Sequence, residues 1–323
     1  MDPIFIGYLC IIFIVSFVML VKGADIFIDG AAGIAVRKGV SEHIIGLTLV
    51  AFATSIPELA VSDIASYHDV EGIAIGNVVG SNIANIGLVL GVAIVIMPVS
   101  SPKKSFIDGV ILLAVTVLLY FLLLDGVVGR LEGFLFLIIY AAFIYYLVRR
   151  HRDGENEEDD FEVLNELKRK SETLGNSIGK DCFILVSGAA MVLIGAHYLV
   201  ESAVEMAEIA GVSSLVIGLT IISVGTSLPE LSSSVAAALK EKHGISVGNV
   251  IGSNLINILL VLGTASIIRP IEVSSDTMNF TMPYLIFMTL ITVVLVRTRM
   301  PRKMGIVLIG FYGIFLWTLV VRM

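Results

Sequence analysis

Ten segments of the chain are apolar over about 20 residues or more, the length that a helix needs to cross the hydrocarbon of a bilayer. A bilayer offers the backbone no hydrogen bonds, so only helices and closed barrels can span it. Continuous apolar runs therefore predict an all-α integral membrane protein with ten transmembrane helices. In chain order, segments 1 to 10 cover residues 3–36, 41–67, 72–97, 105–124, 129–149, 179–210, 213–239, 244–268, 277–297 and 302–322.

The composition excludes an ordinary soluble domain. Hydrophobic residues make up 57% of the chain and charged residues 15%, with a mean hydropathy of +0.96. The net charge of −7 gives no basis for nucleic-acid binding, and much of it lies in a solvated acidic run at 153–172. Segment 1 is too long for a signal peptide, so we expect it to remain as a membrane helix.

Basic residues predict the orientation of the segments. Loops on the cytoplasmic side of a membrane are enriched in Lys and Arg. The loops after even-numbered segments and the C-terminus hold only Arg130, Arg269 and Arg322. The odd loops, which we therefore place in the cytoplasm with both termini outside, hold Arg37, Lys38, Lys103, Lys104, Arg149, Arg150, Arg152, Lys168, Arg169, Lys170, Lys180, Lys240, Lys242, Arg297, Arg299, Arg302 and Lys303.

The chain divides into two related halves. An acidic cytoplasmic linker at 150–178 separates a first repeat, 1–149, from a second repeat, 179–323, each with five segments. Residues 46–91 align with 218–263 without a gap, at a constant offset of 172, and 24 of 46 positions are identical. Five crossings leave the chain on the side opposite to the one where it began, so the second half enters the membrane from that side and is inverted relative to the first. This is the plan of secondary transporters, whose site lies at the repeat interface near the midplane.

Segments 2 and 7 each carry a Thr-Ser-x-Pro-Glu motif that ends at Glu58 and Glu230. A carboxylate in hydrocarbon costs several kcal/mol. Proline cannot donate to the carbonyl four residues earlier, so broken helices are expected at both motifs. We predict that the prolines free the carbonyls of Ala53 and Gly225, and that local unwinding releases the carbonyls of Ala51, Thr54, Ser223 and Thr226.

Segments 3 and 8 each carry Gly-Asn-x-x-Gly-Ser-Asn-x-x-Asn. Ser81 and Asn85 are four residues apart and share a helix face, as do Ser253 and Asn257. The glycines keep one face small enough for close approach to the broken helices. These glycines are Gly76, Gly80, Gly248 and Gly252.

The two motif pairs supply only oxygen ligands. They contain no Cys, His or Met, which argues against zinc, copper or iron, and a flexible set of oxygens suits calcium and sodium better than magnesium. Glu58 and Glu230 have no Lys or Arg within their motifs, so bound cations or protons must neutralise them if they converge. Two carboxylates balance one divalent or two monovalent ions, and competition between these occupancies is a physical basis for exchange.

The paired motifs resemble the two α-repeats of the cation/calcium exchanger superfamily, specifically of a prokaryotic sodium/calcium exchanger. The resemblance covers nearly the whole chain except the linker. It implies antiport of three sodium ions for one calcium ion by alternating access, which is electrogenic. It also implies that helices 1 and 6 slide as a pair past a stationary core of eight helices, which accounts for their extra length.

The resemblance also implies a role for each site residue. Glu58 and Glu230 would hold calcium together with the carbonyls of Thr54 and Thr226. Sodium sites would use the carbonyls of Ala51 and Ser223 with the hydroxyls of Ser55, Ser227, Ser81 and Ser253, and Asn85 and Asn257 would line the centre. We expect no enzyme activity, no cofactor beyond the transported calcium and sodium, a lipid bilayer as surroundings, and a single chain as the functional unit.

Two departures from the family pattern keep alternatives open. Ala53 stands where glycine is usual, which stiffens one hinge. Asn257 stands where some relatives, including potassium-dependent exchangers, carry Asp. The alternatives are a proton/calcium antiporter, a potassium-dependent sodium/calcium antiporter and, from another class, a cation channel or a membrane scaffold.

Overall fold

A computed structural model describes residues 3–37, 51–100, 103–152, 177–239, 243–297 and 299–322. The first half of the chain begins with one long helix and continues with shorter ones. Its elements are α1 (Pro3–Arg37), α2 (Ala51–Thr54), α3 (Ile56–Tyr67), α4 (Glu71–Ala84), a π-helical stretch (Asn85–Leu90), α5 (Gly91–Ile96), α6 (Lys103–Leu122) and α7 (Arg130–Arg152).

The second half follows the same sequence of long and broken helices. Its elements are α8 (Ile178–Ala210), α9 (Ser214–Ile217), a π-helical stretch (Gly218–Ile222), α10 (Ser223–Thr226), α11 (Leu228–Leu239), α12 (His243–Ile256), a π-helical stretch (Asn257–Val261), α13 (Leu262–Ile268), a π-helical stretch (Thr277–Thr281), α14 (Met282–Val296) and α15 (Arg302–Arg322).

Eight helical stretches in the described residues are long and apolar enough to cross a membrane. A ninth crossing is the pair 214–226 and 228–239, which bends by 42° at the break between them. Residues 41–50 of segment 2 lie outside the described residues, so the structure describes only its second part, α2 and α3. The all-α membrane class is therefore confirmed, whereas the count of ten helices stays a prediction.

Short strand pairs join some of the helix ends, and the sequence did not predict them. Strand β1 (Val99–Ser100) pairs antiparallel with β4 (Arg299–Met300), and β2 (Val127–Val128) pairs antiparallel with β3 (Ile271–Glu272). Two residues are too few for an alternating strand pattern. The pairing brings the loops after segments 3 and 9 together, and separately the loops after segments 4 and 8.

Helices α1 and α8 pack lengthwise against each other. Small residues allow the close approach, since a side chain at Gly23 would collide with α8 and one at Gly188 would collide with the backbone of Phe27. At one end of the pair, Arg37 Nε donates to Asp181 Oδ2 at 2.5 Å, and the Asp181 side chain is only 3% exposed. The two longest helices therefore form one paired unit beside the rest of the bundle.

Helices α4 and α12, with their π-helical extensions, form the centre of the bundle. Ile73, Val78, Ile83, Val250 and Leu255 are all fully buried. In hydrocarbon such burial reflects helix-to-helix packing, because the lipid is as apolar as the side chains. The polar motifs of segments 2, 3, 7 and 8 therefore lie inside the protein and away from lipid.

Candidate cation-binding site

The helix breaks at both Thr-Ser-x-Pro-Glu motifs are confined to a single serine. Ser55 has φ −91° and ψ 4°, and Ser227 has φ −82° and ψ 3°. Helical bonding continues around them, since Leu59 N donates to the Ser55 carbonyl at 3.0 Å and Ser227 N to the Ser223 carbonyl at 3.1 Å. The predicted release of the Ser223 carbonyl is therefore wrong, whereas the release of the Ala51, Thr54 and Thr226 carbonyls stays a prediction. Proline costs one hydrogen bond here because the next turn restarts at once.

Glu58 and Glu230 stand in the first turns of α3 and α11, directly after these breaks. Both side chains are fully buried. They belong to one buried cluster, because Asn77 bonds to the Glu58 carbonyl and to the hydroxyl of Thr226, four residues before Glu230. In the described part of the chain neither carboxylate has a hydrogen-bond partner or a Lys or Arg counter-charge. Two buried charges of one sign without compensation are unstable unless cations or protons join them.

Unpartnered oxygen atoms surround the two glutamates. Twelve buried side-chain polar atoms in the described residues lack a hydrogen-bond partner, and all twelve are oxygens. Ten of them belong to predicted site residues, namely Thr54, Ser55, Glu58, Asn85, Ser227, Glu230, Ser253 and Asn257. Buried polar atoms are normally paired, and oxygens such as these can coordinate a hard cation.

Asn77 ties the first glutamate to the second half of the molecule. Its Nδ2 donates to the Glu58 carbonyl at 3.1 Å and to Ser62 Oγ at 2.9 Å. Its Oδ1 accepts from the Thr226 hydroxyl at 3.0 Å. Asn249, its counterpart, donates to the Glu230 carbonyl at 3.4 Å. Both asparagines therefore fix the backbone of the glutamate in their own half.

Four asparagines cross-link the centre with near two-fold symmetry. Asn82 Nδ2 donates to the Asn254 carbonyl at 3.3 Å, and Asn254 Nδ2 donates to the Asn82 carbonyl at 3.2 Å. Asn85 Nδ2 donates to Asn254 Oδ1 at 3.0 Å, and Asn257 Nδ2 donates to Asn82 Oδ1 at 3.1 Å. Each of the four amide nitrogens thereby donates one hydrogen bond within the cluster, while the Oδ1 atoms of Asn85 and Asn257 have no partner among the described residues.

The two threonines of the motifs differ in the hydrogen bonds that their hydroxyl groups make. Thr226 lies beside Glu58, and its hydroxyl is 3.3 Å from that of Ser81. Thr54 and Ser253 lie beside Glu230, yet neither hydroxyl has a partner among the described residues. The Thr226 hydroxyl is thus bonded to Asn77 and close to Ser81, whereas the Thr54 hydroxyl has no partner among the described residues.

In the first half of the chain, Gly76 and Gly80 allow the close helix approach that the sequence predicts. A side chain at Gly76 would collide with Leu215 and Gly218, and one at Gly80 would collide with Ser223, so α4 lies directly against the stretch that precedes the second break. Side chains at Gly248 and Gly252 would meet nothing within 4 Å among the described residues, so the role of these two glycines stays a prediction.

Comparison with known proteins identifies the family of the chain. The family described as "Sodium/calcium exchanger protein" matches residues 8–149 and 181–321. The chain belongs to this family. It is 38% identical to the sodium/calcium exchanger MaX1 of Methanosarcina acetivorans over 95% of this chain and 97% of that protein. It is 40% identical to the putative antiporter CaxA of Alkalimonas amylolytica over 80% of each chain.

A solved structure of the sodium-calcium exchanger NCX_Mj, soaked with sodium and strontium, has the same fold. The TM-score is 0.63 at 32% identity, over 94% of this chain and 95% of that chain. The proteins that this exchanger family member resembles are transporters rather than enzymes.

Eleven of the twelve predicted site residues have described side chains, and Ala51, the twelfth, begins α2. Seven of the eleven lie at the two breaks, Ser81 contacts Thr226, and Ser253 lies beside Glu230. Asn85 and Asn257 bond to Asn254 and Asn82, so they belong to the asparagine cluster. Sequence reasoning left out Asn77, Asn82 and Asn254, which position the others. Their identity in both repeats was the signal that could have found them.

Proposed function

We propose that the protein exchanges sodium for calcium across the membrane. The observation that carries this proposal is the convergence of Glu58 and Glu230, fully buried and without counter-charge in the described residues. One calcium ion or two sodium ions would neutralise the pair. The two negative charges cannot hold calcium and a full set of sodium ions at the same time. Each kind of ion must therefore leave before the other binds, and this couples their transport.

The proposed ligands follow the family pattern. Calcium binds Glu58 and Glu230 with the carbonyls of Thr54 and Thr226. Sodium binds the Ala51 and Ser223 carbonyls with hydroxyls from Ser55, Ser227, Ser81 and Ser253, while Asn85 and Asn257 line the centre. The unpartnered oxygens support this assignment. The Ser223 carbonyl accepts from Ser227 N at 3.1 Å and from the Ser81 and Thr226 hydroxyls at 3.4 Å, so sodium would displace these long hydroxyl contacts.

The proposed topology is ten helices in two inverted repeats, 1–149 and 179–323, joined by the cytoplasmic linker 150–178. It is supported by contacts between loops that this topology puts on the same side of the membrane. Loops after segments 3 and 9 pair as strands, as do loops after segments 4 and 8, and Asp69 after segment 2 pairs with Arg269 at 2.6 Å. The basic residues of the odd loops place that face in the cytoplasm and both termini outside. A single chain contains the whole site, so the functional unit is a monomer.

Alternating access would be produced by the pair α1 and α8 moving past the remaining helices. Glycine contacts and the Arg37–Asp181 ion pair, whose carboxylate is buried, support movement of the two helices as one body. The asymmetry between the Thr226 and Thr54 sides of the site supports access from one side at a time. Exchange of three sodium ions for one calcium ion would carry one net charge per cycle.

The deciding experiment is calcium uptake into proteoliposomes. Vesicles loaded with sodium and diluted into sodium-free medium should accumulate calcium, and empty vesicles should not. Matched vesicles with an outward proton gradient, or with potassium present on both sides, test the two related antiporters. Calcium uptake that ignores the sodium gradient would overturn the proposal, and uptake driven by protons alone would replace it with proton/calcium exchange.

A channel would behave differently in the same vesicles. It would let calcium equilibrate without a sodium gradient, and a pore needs weaker binding along a continuous path. Collapse of the sodium gradient with an ionophore should therefore release the accumulated calcium only if the two fluxes are coupled.

A further inference from the structure

Two histidines meet at a place remote from the central carboxylates. His68 follows the last turn of α3, and His197 lies on α8. His68 Nε2 and His197 Nδ1 share a hydrogen bond of 3.0 Å, whose proton a metal ion would replace, and the ring centroids are 4.9 Å apart. His68 is ten residues beyond Glu58, which corresponds to about 15 Å along a helix. Both rings are partly exposed, so a solute ion can reach them.

A carboxylate stands behind one of the two rings. Glu201 is one turn further along α8, and its Oε1 is 3.7 Å from His197 Nε2, the nitrogen that faces away from His68. A carboxylate at this nitrogen favours a proton there and leaves the Nδ1 lone pair directed at His68. At 3.7 Å the contact is longer than a hydrogen bond, and metal binding would bring Glu201 into the hydrogen bond by which carboxylates orient metal-binding histidines.

The end of α3 provides a fixed support for His68. The His68 N–H donates to the Ile64 carbonyl at 2.9 Å, and Asp69 turns the chain with a φ of +66°. The Asp69 carboxylate pairs with Arg269 at 2.6 Å. These two charges are thus engaged with each other, and Glu201 is the carboxylate that acts on the imidazole pair.

We propose that His68 and His197 bind a divalent transition-metal ion of the zinc, nickel or copper class, with Glu201 orienting His197. Imidazole is a preferred ligand of these ions. Two nitrogens on a tetrahedral zinc ion lie about 3.3 Å apart, so the rings need to separate by only a few tenths of an ångström. No group of three or more His, Cys, Asp and Glu suited to a metal occurs in the described residues, so water completes the coordination and the ion exchanges readily.

The metal ion would link α3 to α8. In the proposed transport cycle α8 moves past α3, so a bound ion holds the two helices together and slows exchange. This consequence rests on the proposed function, whereas binding of the metal does not. The site also differs in chemistry from the central one, whose predicted ligands are all oxygens.

Copper(II) electron paramagnetic resonance tests the binding directly. Purified full-length protein without an affinity tag, given one equivalent of copper(II), should show splitting from two imidazole nitrogens. His68→Gln and His197→Gln should each lose the two-nitrogen pattern, and His243→Gln, on α12, should keep it. Glu201→Gln should weaken copper binding about tenfold or more, as loss of such a partner does in other metal sites. Spectra unchanged in both His68→Gln and His197→Gln would overturn the site.

Zinc inhibition of exchange tests the consequence. Zinc should inhibit sodium-driven calcium uptake by the wild type and by His243→Gln, and a chelator should reverse the effect. The inhibitory zinc concentration should rise at least tenfold in His68→Gln and His197→Gln, whose uptake without zinc stays near normal. Superimposable inhibition curves would refute the link between α3 and α8. Absence of uptake in every variant, with copper binding intact, would instead count against the proposed function alone.

Discussion

At the residue scale, Glu58 and Glu230 supply all the charge of the proposed site. Glu58→Gln or Glu230→Gln leaves one carboxylate for a desolvated divalent ion, a loss of about 3 kcal/mol or more, so calcium uptake should fall roughly a hundredfold or to background. Uptake of radioactive calcium by proteoliposomes measures this, with size-exclusion chromatography to show folding. Glu205→Gln, at an exposed carboxylate of α8, is the matched control. Near-normal exchange in either site variant contradicts shared coordination.

Thr226 and Thr54 are equivalent in sequence but not in their contacts, which makes them a matched pair. Thr226→Val leaves the buried Asn77 Oδ1 without its donor and should lower the free energy of unfolding by about 1–3 kcal/mol. Thr54→Val removes a hydroxyl that has no partner among the described residues, so its cost should be smaller. Thermal unfolding in detergent without sodium or calcium compares them. Equal losses would mean that the two sides of the site are bonded alike.

At the element scale, the approach of α4 to the broken helix depends on Gly76. A Cβ there would lie 2.8 Å from the Leu215 carbonyl oxygen and 3.0 Å from the Gly218 Cα. Gly76→Ala should therefore destabilise the protein by about 1–3 kcal/mol through overpacking. Gly313→Ala, on α15, meets nothing within 4 Å in the described residues and should be neutral or stabilising. Melting temperatures of the two variants provide the measurement, and equal values would contradict this account of the contact.

The helices whose length is set by the thickness of the bilayer were the ones that the sequence predicted best. The boundaries of segment 1 and of segments 3 to 10 agree with the structure to within three residues, because apolar length sets them. The π-helical stretches at Asn85 and Asn257 were not predicted, since i to i+5 bonding has no hydropathy pattern. The break at Ser227 was located correctly by its proline, but its extent was overestimated because proline removes only one bond.

At the scale of the whole molecule, the internal repeat explains why the site could be assembled from sequence. In the proposed inverted arrangement the duplicated motif brings Glu58 and Glu230 to one place, and the full burial of both side chains agrees with that expectation. The identity of the halves does not predict their differences. Asn77 accepts from Thr226, whereas Thr54 lacks a partner, and such asymmetry arises from the conformation that the helices adopt rather than from the motif.

The net charge that crosses the membrane in each transport cycle can be measured in vesicles. If three sodium ions exchange for one calcium ion, each cycle moves one net charge, and a potential of 100 mV contributes about 2.3 kcal/mol. With equal sodium on both sides, an interior at −100 mV should lower the equilibrium ratio of internal to external calcium about 50-fold. The orientation of the protein in the vesicle does not affect this ratio, because it is an equilibrium quantity. Vesicles clamped with valinomycin and potassium give the measurement, and a ratio independent of potential would establish two sodium ions per calcium ion instead.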